Sequence, residues 1–125
     1  PHWSETQVFE LFPNLGMMPE RLGGRISGGE QKMLTIARTL MGNPQLILLD
    51  EPSEGVAPVI VEQMAQTIVR LKREGLSILL SEQNIHFARL VCDRAVVLEK
   101  GQVRYADSIE ALVADEQVQR TYLSV

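Results

Sequence analysis

The chain is poor in the residues that build metal centres, disulfides and nucleic-acid surfaces. Among its 125 residues there is one cysteine, Cys92, and there are two histidines, His2 and His86, far apart in the sequence. A lone cysteine cannot close an internal disulfide, so Cys92 reads as a small apolar residue and fits a reducing compartment. The isolated histidines give no metal-ligand cluster. Lysine and arginine (12) are outnumbered by aspartate and glutamate (16), for a formal net charge of -4, so there is no basic footprint for nucleic acid. No apolar run approaches the roughly 18 residues of a membrane span. The start, "PHWSETQVFELFP", has neither a basic n-region nor an apolar h-region, which predicts no signal peptide. Low-complexity tracts and internal repeats are missing too.

What is present is enough apolar content, 45%, for the core of one small domain. Its arrangement alternates helical and strand patterns. Ser4, with Gln7 three positions on, predicts a capped short helix running to Phe12 and ended by Pro13. Residues 14–25 hold Gly16, Pro19, Gly23 and Gly24 and read as loop. Met33, Leu34, Ile36, Ala37, Leu40 and Met41 form a helical face closed by Gly42, Asn43 and Pro44. "LILLDEP" follows, four apolar residues without alternation, which predicts a strand buried on both faces of a parallel sheet. Pro58 opens another helix, with Ile60, Val61, Met64, Ile68 and Leu71 on one face and Gly75 after its end. A second strand, "SILLS", leads to a helix from Asn84 to about Cys92. This strand, helix, strand, helix order predicts parallel pairing with right-handed crossovers. "AVVLEKGQVRYA" predicts two strands around a Lys100-Gly101 turn. A final helix is expected from Asp107, with Glu110 in a capping box, to about Leu123.

Two short stretches carry chemistry. In "RISGGEQKMLTIARTL" a helix begins at Ser27-Gly28-Gly29-Glu30, where Ser27 and Glu30 can form a capping box. The glycines need a further reason, because each costs roughly 1 kcal/mol against alanine in a helix interior. Missing side chains at a helix start let an anion reach free N–H groups and the positive end of the helix dipole, so a phosphate is the natural candidate beside plain capping. In "LILLDEPS", Asp50 and Glu51 leave the carboxyl end of a parallel strand, where open α/β sheets bind ligands. Adjacent carboxylates there can hold Mg²⁺ and orient a water for nucleoside triphosphate hydrolysis, or simply make a polar turn.

"ISGGEQKMLTIARTL" resembles the signature motif of ATP-binding cassette (ABC) ATPases, and "LILLDEPS" resembles the Walker B motif of the same family at the usual separation. The resemblance covers essentially the whole chain and implies the second half of a nucleotide-binding domain. The fold it implies is α/β, a partial P-loop NTPase (RecA-like) parallel sheet flanked by helices, with a carboxyl-terminal β-hairpin and helix. Residues 1–42 would be a remnant of the helical subdomain bearing the signature, and 43–125 the later part of the catalytic core. ATP and Mg²⁺ are the implied ligands. Asp50 would hold magnesium, directly or through water, and Glu51 would be the general base. Ser27, Gly28, Gly29, Glu30 and Gln31 would face ATP held by an opposite subunit.

Two departures narrow the resemblance. "SEGVAP" (53–58) stands where the family's D-loop usually ends in Ser-Ala-Leu-Asp, and "DEPS-x-G-x-AP" looks like the ATPases of branched-chain amino acid and related amide or urea importers. "ILLSEQN" carries Gln83 where most members have a switch histidine; its amide can donate to a phosphate oxygen but cannot carry a proton at neutral pH. Gln83 and Asn84 also suit the start of the next helix, with Asn84 as its cap. His86 reads as a helix-face residue, and Trp3 and Met17-Met18 as local packing.

The sequence has no Gly-x-x-x-x-Gly-Lys-Ser/Thr, which family members carry well upstream of the signature. This predicts weak ATP binding and no turnover for the 125 residues alone. The function implied is part of an importer's ATPase subunit, on the inner face of the plasma membrane. Its partners would be a second ATPase subunit, transmembrane permease subunits and, indirectly, a solute-binding protein, with no nucleic acid. The alternatives are an inactive fragment or a non-transport ABC ATPase.

Overall fold

A computed structural model describes Trp3, Ser4, Thr6, Gln7, Glu10 and residues 28–123. Within it, backbone packing divides the chain into two compact units, Pro1–Ser81 and Glu82–Val125. The loop expected over 14–25 and the capping role expected of Ser27 lie outside the described residues, as does the side chain of Glu30.

The first unit begins with the reciprocal pair expected at its start. The Gln7 N–H donates to Ser4 Oγ at 3.2 Å and the Ser4 N–H to Gln7 Oε1 at 3.0 Å. Helix α1 spans Gly28–Met41 and buries Met33, Ile36, Ala37 and Leu40 of the helical stripe read from the sequence, with Leu34 half-buried and Met41, at the helix end, 46% exposed. It ends as Asn43 turns into the left-handed region with φ 53°, its N–H donating to the Leu40 carbonyl at 2.9 Å. Asn43 Oδ1 also accepts from the Trp3 N–H, fastening the start of the chain to this turn.

Strand β1, Leu46–Asp50, pairs in parallel with strand β2, Ser77–Ser81, in the register Leu46 to Ser77 through Asp50 to Ser81. Between them helix α2, Pro58–Arg73, starts with Pro58 in its first turn and packs on both α1 and β2. Met64, Ala65, Ile68 and Leu71 are buried along one side. Gly75, with φ 96°, supplies the left-handed turn into β2.

One expectation needs correcting. β1 is not buried on both faces: Ile47 is 2% exposed, but Leu46 and Leu48 are 52% and 68% exposed, and Leu79 on β2 is 64% exposed. A pleated strand sends successive side chains to opposite faces, and helix packing covers only one of them here. Unbroken apolar sequence therefore marks a strand suited to burial on both sides, not one so buried among these residues.

The second unit opens with helix α3, Ile85–Val91. As the sequence predicts, Asn84 caps it, its Oδ1 accepting from the Phe87 N–H at 3.1 Å. Asn84→Ala is expected to lower stability by about 0.5–2 kcal/mol, measured by denaturant unfolding. Strands β3, Arg94–Glu99, and β4, Gln102–Ser108, form the antiparallel hairpin expected around Lys100-Gly101. Both turn residues have positive φ, 50° and 77°, as a two-residue hairpin loop of right-handed twist requires. The register shifts between Val97 and Leu98, leaving Arg104 without an opposite residue.

The last helix is also revised. β4 runs through Asp107 to Ser108, so Ser108 rather than Asp107 caps helix α4, Ile109–Ala114, accepting from the Ala111 N–H. Asp115 then ends α4 and caps a separate helix α5, Glu116–Tyr122. Gln119 Nε2 donates to the carbonyls of Leu112 and Val113 at 2.8 Å each, occupying acceptors that a continuous helix would have satisfied. Val97, Ile109 and Leu112 make this unit's core cluster, and Cys92 is half-buried against it, in keeping with its reading as a small apolar residue.

Candidate functional site

Asp50, Glu51 and Ser81 come together where β1 and β2 end. Asp50 closes β1 directly opposite Ser81, and Ser81 Oγ donates a hydrogen bond to Asp50 Oδ1. The carboxylate stays exposed and able to meet a ligand. One residue further, the Glu51 N–H donates to the Ser81 carbonyl at 2.7 Å, continuing the parallel ladder for one more bond. Glu51 then turns sharply, with φ 45°. Few non-glycine residues enter this left-handed region, where crowding of Cβ costs about 1–2 kcal/mol.

The turn it begins is tightly held. The Glu54 N–H donates back to the Glu51 carbonyl at 3.2 Å, with Pro52 at the position of such a turn that proline favours. Pro52 and Ser53 are buried and Gly55 is left-handed at φ 69°. Lys32, from the start of α1, donates from Nζ to the carbonyls of Glu51 at 3.2 Å and Glu54 at 2.6 Å.

The start of α1 meets this region from another side. Gly28 and Gly29 occupy the first turn of a 14-residue helix, where the leading N–H groups have no partner within the helix and can bind an anion. Gly29 has a second reason to be glycine. A Cβ placed there would lie 2.8 Å from Ile60 Cγ2 and 3.2 Å from Val56 Cγ1, closer than carbon atoms pack. The glycine therefore lets α1 approach α2 and the loop before it. Gln31 is exposed in the same first turns.

Among the residues read from the sequence, Asp50 and Glu51 are thus brought together, and Gly28, Gly29 and Gln31 sit on the helix that sends Lys32 to their turn. Gln83 belongs to the second unit, exposed, with its N–H and that of Asn84 donating to Glu82 Oε1 at 3.2 and 3.1 Å. His86 is exposed on α3, as expected. Sequence reasoning missed Ser81 and Lys32. Strand register, a tertiary quantity, selects Ser81, and Lys32 has no local signal because it sits at a solvent-compatible position of an amphipathic helix.

Among the described residues no group of three or more histidine, cysteine, aspartate or glutamate side chains could cage a metal ion. Asp50 and Glu51 alone nevertheless suit magnesium, which keeps several waters and takes one or two carboxylates together with substrate phosphates. Asp50, oriented by Ser81, would hold such an ion; bound with a nucleotide it supplies neutralising charge for the phosphate oxygens. No described helix is long and apolar enough to cross a membrane.

Comparison with known proteins agrees with this geometry. The ABC transporter family profile matches residues 3–54, which include the signature-like helix start and the Asp50-Glu51 turn. The high-affinity branched-chain amino acid transport ATP-binding protein BraG of Pseudomonas aeruginosa is 47% identical over 117 residues, 94% of this chain and 50% of that protein. The lipopolysaccharide export system ATP-binding protein LptB of Haemophilus influenzae is 38% identical over 94% of this chain and 48% of its own. The chain thus spans about half the length of the curated relatives it matches. Among solved structures, the ATP-binding cassette MJ1267 superposes with a TM-score of 0.79 at 28% identity, over 96% of this chain and 51% of that one. With its α/β architecture, its signature-like helix and its paired carboxylates, the chain belongs to the ATP-binding cassette (ABC transporter) family.

Proposed function

We propose that these residues are the later part of the ATP-hydrolysing subunit of an ABC importer for branched-chain amino acids or related amides. The observation that carries the reading is the pair Asp50-Glu51 at the shared carboxyl end of β1 and β2, one carboxylate oriented by Ser81 and the other on a fixed turn. In this reading Asp50 holds Mg²⁺, Glu51 takes the proton of the attacking water, and Gln83 contacts the γ-phosphate. Ser27, Gly28, Gly29, Glu30 and Gln31 present the start of α1 to ATP bound by a second ATPase subunit. Residues 1–42 belong to the helical subdomain and 43–125 to the catalytic core. The subunit would work on the inner face of the plasma membrane, against permease subunits supplied by a solute-binding protein.

The solute rests on the 47% identity to BraG together with the "DEPSEGVAP" stretch; the 38% identity to LptB supports a lipopolysaccharide exporter as the second reading. These are separated by reconstituting the whole protein with its permease and measuring uptake of leucine and extraction of lipopolysaccharide. Leucine-stimulated, magnesium-dependent ATP turnover is expected, and removal of magnesium with EDTA should abolish it. Stimulation by lipopolysaccharide alone would replace the importer reading. The 125 residues by themselves, which contain no Gly-x-x-x-x-Gly-Lys-Ser/Thr, are expected to bind ATP weakly. Titration with labelled ATP checks this, and micromolar magnesium-dependent affinity would refute it.

A further inference from the structure

Glu51 keeps its left-handed backbone, φ 45°, only where its surroundings hold it there. Two of the holding bonds are backbone: the Glu51 N–H to the Ser81 carbonyl, and the Glu54 N–H to the Glu51 carbonyl. Two more come from a side chain on a different element. Lys32 sends its ammonium group from α1 across the turn to the carbonyls of both Glu51 and Glu54, at 3.2 and 2.6 Å. An ammonium has three donors and no acceptor, so one group can bridge two carbonyls, with bonds strengthened by its charge.

We infer that Lys32 is a positioning residue for Glu51: its ammonium clasps both ends of the Glu51–Glu54 turn and so sets the direction in which the Glu51 carboxylate leaves the strand. This rests on the proposed ATPase role of Glu51. Lys32 acts through the backbone carbonyls that its ammonium holds. Its influence follows from the sensitivity of hydrolysis to placement, since a shift of about 1 Å in a reacting group can lower a rate about a hundredfold. The same bridge joins the helix that begins with Gly28-Gly29 to the turn that carries the carboxylates, so movement of one is felt by the other.

The test uses the whole ATPase with Lys32→Met, which keeps an unbranched apolar stem and removes the donors, Lys32→Arg, which restores them, and Glu51→Gln as control. Lys32→Met is expected to lower kcat by about ten- to a hundredfold with KM for ATP unchanged, because placement and not binding is lost. Lys32→Arg should recover most of kcat, and the Glu54 amide should exchange its hydrogen faster in Lys32→Met than in Lys32→Arg. Lys32→Ala gives the same reading if the methionine variant does not fold. A wild-type kcat in Lys32→Met or Lys32→Ala, beside an inactive Glu51→Gln, overturns the role of Lys32 and leaves the ATPase reading standing. So does a fall in melting temperature with no change in kcat. Full turnover by Glu51→Gln overturns both together.

Discussion

Replacing Glu51 by glutamine in the whole protein is expected to leave ATP binding intact and to lower turnover by about 10²- to 10⁴-fold, the usual contribution of a general base. The substitution keeps side-chain length and polarity, so the turn that depends on the Glu51 backbone should survive. Its N–H to Ser81 and its carbonyl, which accepts from Glu54 and Lys32, are untouched by the change. What is removed is the carboxylate's negative charge and with it the capacity to accept a proton. With ATP bound and not consumed, the two-subunit state should accumulate, visible as an ATP-dependent doubling of mass in size-exclusion chromatography. Near-normal ATP turnover would assign the base elsewhere. Asp50→Asn should instead weaken the magnesium dependence, which tells the two carboxylates apart.

The second large effect is expected at Gly29, where two causes must be separated. Gly29→Asp should abolish turnover, since it would add bulk and like charge where a phosphate is read to come. It would also force a buried side chain against Ile60 and Val56. Alanine isolates the second cause. Overpacking of this kind costs about 1–3 kcal/mol, offset by up to about 1 kcal/mol from the better helix propensity of alanine. Ile60→Leu moves the branch away from Cβ and removes the Cγ2 that lies 2.8 Å from the added atom. The pair Gly29→Ala with Ile60→Leu should therefore regain part of the stability lost by Gly29→Ala alone, the 3.2 Å approach to Val56 Cγ1 remaining, as measured by thermal unfolding. If ATP turnover returns with it, packing is what requires the glycine. If stability returns and turnover does not, the open approach to the helix start is the requirement.

Lys32 makes the same point about where function is encoded. Asp50 and Glu51 announced themselves because an apolar strand ended at them, and Gly28-Gly29 because glycine is out of place at a helix start. Lys32 breaks no local rule, and its value depends on α1 lying beside a turn some twenty residues later in the chain. Ser81 is equally silent until the register of β1 and β2 sets it opposite Asp50.

By itself the sequence determined the order of the described elements from α1 to β4, the caps at Ser4 and Asn84, the hairpin at Lys100-Gly101 and the family. Each of these depends on neighbours within a few positions: an alternation period, a capping side chain, a turn residue free to take positive φ, or a short motif. Tertiary structure decided the rest. Among the described residues it left one face of β1 uncovered, because what lies over a strand is not written in the strand. It divided the last helix at Asp115, where a side chain that caps one helix ends another. It also gave Gly29 a packing reason beside the chemical one, because only the approach of α2 brings Ile60 within reach of where a Cβ would stand.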